Sequence, residues 1–255
     1  MIVELDEPVE TLELVGVHLA VAGEVRRLLV EADGPAVGLG RLHQLGILLR
    51  LGHPSELFST TRITLKDALV SLETEGLIYR EERRGWYVSP ERVRYNPLSR
   101  SHFHQMIREQ DRIAETRLLS TRTEMAAGNY AKALEIEQIT PIHVIERLRF
   151  IDGRAVLFVE NVLKAPLFEK VLSENLTMSL TGIYREKYGY ETKRSRFDVI
   201  PTSAPAHVAK ALNLAEGQPV LKICRVNYKQ DGELMDCELE YWRPDSVVLH
   251  IDSIG

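Results

Sequence analysis

Two arginines in the second half of the chain have the type and spacing needed to bind an anion. Arg147 and Arg149 lie two residues apart in a stretch typical of a β-strand, TPIHVIERLRF, and alternate strand residues share one face of a sheet. Each guanidinium presents a fixed fork of donors that fits a phosphate, phosphonate or carboxylate. The pair therefore predicts an anion clamp, although surface ion pairs with Glu146 or Glu160 fit the same pattern. Ser179, just before a predicted helix, offers a hydroxyl and backbone N–H groups to the same anion.

A second group of polar residues lies where a predicted helix begins in the first half of the chain. Arg62 and Lys66 are four residues apart and share a helix face, with Thr61 and Thr64 beside them. At the start of a recognition helix, hydroxyls contact DNA phosphates and Arg or Lys reads guanine in the major groove. The alternative is an amphipathic helix whose charges are solvated. The residues predicted to contact DNA, including a basic turn further on, are Thr60, Thr61, Arg62, Thr64, Lys66, Arg83, Arg84 and Gly85.

The elements expected to position these residues are a helix and a β-hairpin between residues 58 and 88. Apolar residues recur at the i, i+3, i+4 and i+7 spacing of a buried helix face, and Gly76 ends the helix. These apolar residues are Leu65, Ala68, Leu69 and Leu72. Two short strands then flank a charged turn from Arg80 to Gly85. A helix followed by a hairpin with a basic tip predicts a winged helix-turn-helix.

The composition is that of a soluble globular protein with room for two cores. The chain has 255 residues, of which 44% are hydrophobic and 27% charged. A net charge of −5 disfavours a general nucleic-acid coat but permits a local DNA-reading face. The acidic N-terminal stretch is unlike a signal peptide, and no apolar run approaches the ~20 residues of a membrane span. Cys224 and Cys237 lack metal-ligand spacing, so we expect a cytoplasmic protein with no metal, cofactor or membrane contact.

The second half predicts an α+β fold built on an antiparallel sheet. Strand-like runs are joined at Asp152-Gly153 and at Asp231-Gly232, which are strong hairpin signals, and helical runs lie between the pairs. The stretch from residue 92 to 99 contains Asn-Pro and is predicted to be a linker. The expected domains are residues 15–91 and residues 100–252.

The first half resembles the DNA-binding domain of GntR-family transcription factors. FSTTRITLKDALVSLETEGLI and RRGWYV are similar to the family signature F-G-x-S-R-x-T-V-R-E-A-L-x-x-L-E-x-E-G-L-I and to its wing, R-G-T-F-V. The resemblance implies a winged helix-turn-helix that binds double-stranded operator DNA as a homodimer. Residues 34–54, GPAVGLGRLHQLGILLRLGHP, are atypical, because the family has P-G-x-x-L-P-S-E-R-E-L-A there. In the family this motif covers a loop and the first helix of the helix-turn-helix pair, and the arginine that contacts DNA from that helix has no secure counterpart here.

Residues 100–250 resemble the UTRA effector domain of HutC-type GntR regulators, whose fold is chorismate-lyase-like. The resemblance is carried by ERLRFIDGRAVLFVEN, APAHVAKALNL and GQPVLKICRVNYKQDGELMDCELEYWRPDS. Shorter motifs, among them STTRIT, RRGWYVSPER and EYWRPDS, look like those of regulators of phosphonate-utilisation operons, such as those for 2-aminoethylphosphonate. The resemblance implies a small anionic effector, and the expected class is a phosphonate or a phosphorylated metabolite.

The same resemblance assigns the effector cavity to particular positions. The implied effector-binding residues are Ser101, His102, Arg147, Arg149, Glu160, Ser179, Thr181, Asp236 and Trp242. The family often has tyrosine in place of Thr181 and Trp242, and glutamate in place of Asp236. These differences concern the end of the ligand away from the anion, where Glu160 or Asp236 suits either an ammonium group or a sugar hydroxyl.

Together these patterns predict a DNA-binding transcriptional regulator, a repressor rather than an enzyme, whose operator affinity is controlled by the anionic effector. One alternative is a chorismate-lyase-like enzyme that uses Arg147, Arg149 and Glu160 on a carboxylated substrate. The sequence shows no nucleophile–base pair, metal constellation or G-x-x-x-x-G-K loop to support it. Another alternative is an effector-sensing protein whose atypical segment 34–54 no longer supports DNA binding.

Overall fold

The computed structural model describes residues 62–81, 85–99 and 102–251. The chain forms two compact units that divide between Glu91 and Arg92. Several predictions lie outside the described residues, namely those for the atypical segment 34–54 and for the contacts of Thr60, Thr61, Arg83, Arg84 and Ser101.

The first unit contains the predicted helix and hairpin. Helix α1 spans Arg62–Glu75, and strands β1 (Ile78–Glu81) and β2 (Gly85–Val88) pair in antiparallel fashion. Gly76 ends the helix with a φ of 78°, a left-handed conformation that glycine adopts without strain. The side chains of Ala68, Leu69 and Leu72 are buried, as their spacing predicts.

The second unit is built on a six-stranded antiparallel sheet, which confirms the predicted α+β class. Its strands are β4 (Ala114–Met125), β5 (Pro141–Ile151), β6 (Arg154–Lys164), β7 (Arg194–Ser203), β8 (Pro219–Tyr228) and β9 (Leu234–Trp242). They lie in the order β4-β5-β6-β9-β8-β7. Asp152 and Gly153, both with positive φ, form the tight turn between β5 and β6, as expected for a two-residue hairpin connection.

Short helices cover both faces of this sheet. They are α2 (Phe103–Arg108), α3 (Gly128–Ala133), α4 (Leu180–Ile183), which continues as a π-helical turn over Tyr184–Tyr188, and α5 (Ala206–Leu212). One face packs Leu148 and Phe158 against Val208 of α5, and the other packs Leu157 and Trp242 against Ile107 of α2. Because both faces are covered, the central strand β6 is buried along almost its whole length.

A short strand shows that part of the predicted linker belongs to the second unit. Strand β3 (Val93–Tyr95) pairs in parallel with β10 (Val247–Leu249). Val93 and Tyr95 point inward and are buried, while Arg94 between them is exposed. Among the residues that the structure describes, no helix is long and apolar enough to span a bilayer.

Candidate anion-binding site

A cavity of ≈ 340 Å³ lies against one face of the six-stranded sheet, within the size range of small-molecule sites. Its walls come from β3, β5, β6, β8 and β9, from α2, and from the segment that leads into α4. Six of the residues predicted to bind the effector line it, and they are His102, Arg147, Arg149, Ser179, Thr181 and Trp242. The cavity therefore brings together positions that are 140 residues apart in the chain (242 − 102).

Strand register explains why the arginines face this cavity. Arg147 pairs across the sheet with Val159, and Val159 pairs with Glu240 of β9. Arg149 is connected in the same way, through β6, to Trp242. Directly opposed residues of antiparallel strands project to the same face, so the predicted shared face of the two arginines also carries Glu240 and Trp242.

Arg147 is fixed in position by the protein itself. Its side chain is buried, with 3% of its surface exposed. Its Nε donates to Asn161 Oδ1 at 3.0 Å, and its Nη1 donates to the carbonyl oxygen of Met178 at 3.1 Å. Burial, followed by repulsion from Arg149, lowers the pKa of Arg147 to about 9, which still leaves it charged at neutral pH.

Arg149 is held differently, by stacking on an aromatic ring. Its guanidinium carbon lies 4.8 Å from the centroid of the Phe103 ring, a cation–π distance. Its Nε is buried and has no hydrogen-bond partner among the described residues. Because a buried donor without a partner is costly, the structure leaves guanidinium donors of Arg149 available to a ligand in the cavity.

An aromatic and acidic network forms the opposite side of the cavity. Trp242 Nε1 donates to Glu240 Oε2 at 2.8 Å, and the Tyr95 hydroxyl donates to Glu240 Oε1 at 3.4 Å. Arg225 Nη2 in turn donates to the Tyr95 hydroxyl at 3.0 Å. Burial raises the pKa of Glu240. Trp242 thus contributes to the wall mainly by orienting Glu240.

The prediction from sequence did not include four residues of this wall. They are Tyr95, Arg225, Glu238 and Glu240. A signal for two of them was present, because Asp236, Glu238, Glu240 and Trp242 alternate along β9 and so share a face. Tyr95 had no such signal, since it comes from the segment predicted to be a linker.

Ser179 and His102 act as helix caps at the edge of the cavity. Ser179 Oγ accepts from the backbone N–H of Gly182 at 3.3 Å, and His102 Nδ1 accepts from the N–H of Gln105 at 3.2 Å. Each therefore satisfies a free donor of the first helical turn. The cap geometry presents both residues to the cavity with fixed orientation.

Two of the predicted effector residues lie outside the cavity lining. Glu160 projects to the other face of the sheet, where its Oε1 accepts from the Tyr130 hydroxyl at 3.0 Å and lies 3.7 Å from His207 Nε2. Its neighbour Asn161, one residue along β6, shares the face of the arginines instead. A shift of one residue along a strand reverses the face, so the Glu160 side chain lies on the face of the sheet opposite to the arginines.

Asp236 shares the arginine face but lies behind the cavity wall. It is fully buried, and its Oδ2 accepts from Asn227 Nδ2 at 3.2 Å. Its other oxygen has no hydrogen-bond partner among the described residues. Burial, followed by the charge of Glu238, raises the pKa of Asp236 to about 8, so this carboxyl is largely neutral at pH 7.

The predicted DNA-contacting residues within the described part of the chain are distributed over α1 and β2. Arg62 is the first residue of α1, and Lys66 is exposed one turn later. Gly85 begins β2 with a φ of 102°, a conformation that favours glycine. The prediction that Thr64 contacts DNA does not fit the structure, because only 5% of its surface is exposed and a buried hydroxyl cannot reach DNA.

In the described parts of the chain, no group of three or more His, Cys, Asp or Glu side chains is arranged to hold a metal ion. The polar groups of the cavity are instead arginines, carboxylates, hydroxyls and histidines. Such a set recognises a charged organic molecule by ion pairing and hydrogen bonding.

The chain matches a known domain family, and it is similar to known proteins in sequence and in fold. Residues 109–247 match the UTRA domain family. The uncharacterized HTH-type transcriptional regulator YihL of Escherichia coli (strain K12) is 26% identical over 198 residues, 77% of this chain and 84% of that one. The HTH-type transcriptional repressor NagR of Bacillus subtilis (strain 168) is 23% identical over 191 residues, 75% and 79% of the two chains. The crystal structure of PhnF from Mycobacterium smegmatis has a similar fold, with a TM-score of 0.62, 21% identity, and coverage of 92% and 99%.

Proposed function

The chain belongs to the UTRA domain family, and we propose that it is a GntR-type transcriptional regulator whose operator affinity is set by a small anionic effector. Regulators that are similar over most of their length carry helix-turn-helix names, and the first unit holds a helix and hairpin of the expected kind. We propose further that it acts in the cytoplasm as a homodimeric repressor.

The observation that carries the effector proposal is the unsatisfied guanidinium of Arg149 beside the buried Arg147. Two positive charges on one face of the cavity repel each other, and this repulsion adds to burial, the larger cause, in lowering the pKa of Arg147. An anion between them removes that repulsion and uses the free donors. A phosphonate or a phosphorylated metabolite fits this requirement, and Ser179 and Thr181 border the same space.

The DNA proposal rests on the start of α1 and on the hairpin. Lys66 is exposed on α1, and Arg62 begins that helix. With Thr60, Thr61, Arg83, Arg84 and Gly85, they make the proposed operator-contacting set. The alternative of a chorismate-lyase-like enzyme loses one of its three required residues, because Glu160 lies on the opposite face of the sheet from the arginines.

Replacement of Lys66 by alanine tests the DNA proposal. We expect Lys66→Ala, like Arg62→Ala, to weaken binding of a labelled DNA duplex taken from the region upstream of the gene that encodes this chain. Loss of one base-reading side chain costs ~1–3 kcal/mol, or roughly 5- to 150-fold in affinity. Fluorescence anisotropy at fixed salt measures the change.

The matched control for this experiment is Lys132→Ala, which removes an exposed lysine from α3 of the other unit. It should leave DNA affinity unchanged. Wild-type affinity in both Lys66→Ala and Arg62→Ala would show that α1 does not read the operator.

A further inference from the structure

His104 is a titratable side chain of the cavity wall that lies outside the predicted effector-binding set. It lies on α2 next to Phe103 and lines the same cavity as Arg147 and Arg149. Its Nε2 is hydrogen-bonded to Thr116 Oγ1 at 2.8 Å, which fixes the half-buried ring against β4. Its other ring nitrogen, Nδ1, makes no hydrogen bond to any residue that the structure describes. The ring can therefore accept a second proton without losing its contact with Thr116.

Two contacts place His104 beside Arg149. Thr116, its hydrogen-bond partner, is the cross-strand neighbour of Arg149, so these two side chains project to the same face of the sheet. The Phe103 ring stacks under the Arg149 guanidinium at 4.8 Å and meets the His104 ring edge-on, with the ring centroids 5.8 Å apart. His104 thus belongs to the same cluster of side chains as the guanidinium that is proposed to bind the anion.

The charges closest to His104 are positive. Arg147 and Arg149 face it from β5, while His102 caps its own helix and Arg108 ends that helix. Burial, followed by these charges with Arg149 first among them, lowers the pKa of His104 below the ordinary histidine value of 6.5. Before an anion binds, His104 is therefore mostly neutral at pH 7.

A bound anion changes the electrostatic field at His104. Negative charge at the two arginines opposes their repulsion of an imidazolium and so favours the protonated ring. Across the cavity, β8 and β9 contribute Arg225, Glu238 and Glu240 to the lining. Glu240, whose pKa is raised mainly by burial, responds to an anion in the same direction, because negative charge also disfavours a carboxylate. Substitution of His104 distinguishes these two sources of proton uptake.

We propose that His104 takes up a proton from solvent when an anion binds at Arg147 and Arg149, so that effector binding is linked to pH. The imidazolium adds a third positive charge to the site, with its Nε2–H donating to Thr116 Oγ1. Since the anion-bound protein then holds more protons than the free protein, the affinity for an anion of constant charge rises as the pH falls. This inference rests on the proposed effector site and adds a way in which that site is regulated.

The test is a calorimetric titration of the full-length protein with sulfate, whose own charge is constant between pH 5.5 and 7.5. Titrations at pH 6 in two buffers of different ionisation enthalpy give the number of protons taken up for each anion bound. Wild type should take up part of a proton. Its sulfate affinity should rise roughly threefold or more from pH 7.5 to 5.5, the limit for one linked proton being about tenfold per pH unit. His104→Gln, whose amide can still hydrogen-bond to Thr116, should lose most of the uptake and of the pH dependence.

The matched control is His143→Gln. His143 Nδ1 is hydrogen-bonded to Thr123 Oγ1 at 2.8 Å, and burial lowers its pKa too, but His143 is not among the residues that line the cavity. This variant should keep the wild-type proton uptake.

Binding of sulfate to wild type without proton uptake overturns the inference. Equal uptake by wild type and His104→Gln also overturns it and assigns the proton to another group, such as Glu240. Failure of sulfate to bind wild-type protein at any of these pH values contradicts the anion site itself, and the inference falls with it.

Discussion

Arg149 is the residue on which the proposed anion site depends most. Its guanidinium stacks on the Phe103 ring, and its buried Nε has no hydrogen-bond partner among the described residues, which is an unfavourable state for a donor. Arg147, by contrast, has an amide oxygen and a backbone carbonyl as acceptors. The two arginines therefore differ in the proposed site. The protein itself holds Arg147 in place, whereas Arg149 gains more hydrogen bonds from a bound anion.

Substitution of Arg149 should separate ligand binding from folding. We expect Arg149→Gln to abolish the thermal stabilisation that anions give the wild-type protein, which is ~2.7 kcal/mol at 100 times the dissociation constant. The ligand-free variant should unfold at the wild-type temperature or above it, because an unsatisfied buried charge is removed. Scanning fluorimetry with and without anion measures both effects.

Arg117→Gln is the control for this substitution, since Arg117 stacks on Phe150 from the exposed side of β4. It should retain the anion-induced shift. Full stabilisation of Arg149→Gln by every anion that stabilises wild type would place the anion elsewhere.

Asp236 makes the stability of the second unit depend on pH. Burial raises the folded-state pKa of Asp236 to about 8, well above the ordinary aspartate value of 3.8, so the folded state binds more protons between these two values. Stability from this group is therefore full below about pH 4 and is lost as pH rises towards 8, by about 1.4 kcal/mol per unit of pKa difference. Asp236→Asn should flatten the pH profile and be the more stable protein at pH 8.

Urea unfolding of wild type and Asp236→Asn at pH 5, 6.5 and 8 measures this dependence. Asp198→Asn, at an exposed position of β7, removes the same charge from the surface and should leave the profile unchanged. Parallel profiles for wild type and Asp236→Asn would show that the Asp236 carboxyl is ionised throughout.

Among the elements, β5 and β6 show which features of the fold a sequence pattern predicts and which features it does not. The Asp152-Gly153 turn and the alternation around Arg147 and Arg149 predict the hairpin and the shared face, because a two-residue turn fixes the register. The family resemblance assigns Glu160 to the cavity, and the sequence of β6 could not correct that assignment because the strand is buried on both faces. A strand without polar–apolar alternation carries no signal of which residues face which side.

Strand β3 illustrates a second limit. The Asn-Pro dipeptide predicts a break in the chain, and the turn is present after Tyr95. The pairing of β3 with β10 is not visible locally, since its partner, Val247–Leu249, is more than 150 residues away. The contribution of Tyr95 to the cavity therefore follows from tertiary structure alone.

The hydroxyl of Tyr95 should stabilise β3 in this position. Tyr95→Phe keeps the ring contact with Trp242, whose centroid is 5.7 Å away, but removes the hydrogen bonds with Glu240 and Arg225. Loss of a buried partner costs ~1–3 kcal/mol, and we expect the second unit to be destabilised by that amount in urea. Tyr188→Phe, which removes an exposed hydroxyl bonded to the Glu169 carbonyl, should cost less, and an equal cost in the two variants would contradict this role.

As a whole, the molecule joins two units within one chain, and β3 is the first element of the second unit after the boundary at Glu91. One residue of β3, Tyr95, both lines the cavity and bonds to Glu240. We propose that a ligand in the cavity acts on β3, the strand that follows the boundary with the first unit. This continuity gives the proposed regulation a physical route. By thermodynamic linkage, the coupling can be measured either as the effect of effector on DNA affinity or as the effect of DNA on effector affinity.

The direct test of regulation is a calorimetric titration of the full-length protein with the anion that gives the largest thermal shift, performed with and without saturating operator duplex. If the effector controls operator affinity, DNA must change effector affinity by the same factor, with typical coupling of ~1–3 kcal/mol, or roughly 5- to 150-fold. For a repressor released by its effector, we predict weaker effector binding in the presence of operator. Equal effector affinities in the two titrations would show that the two units bind independently and would contradict the regulatory account.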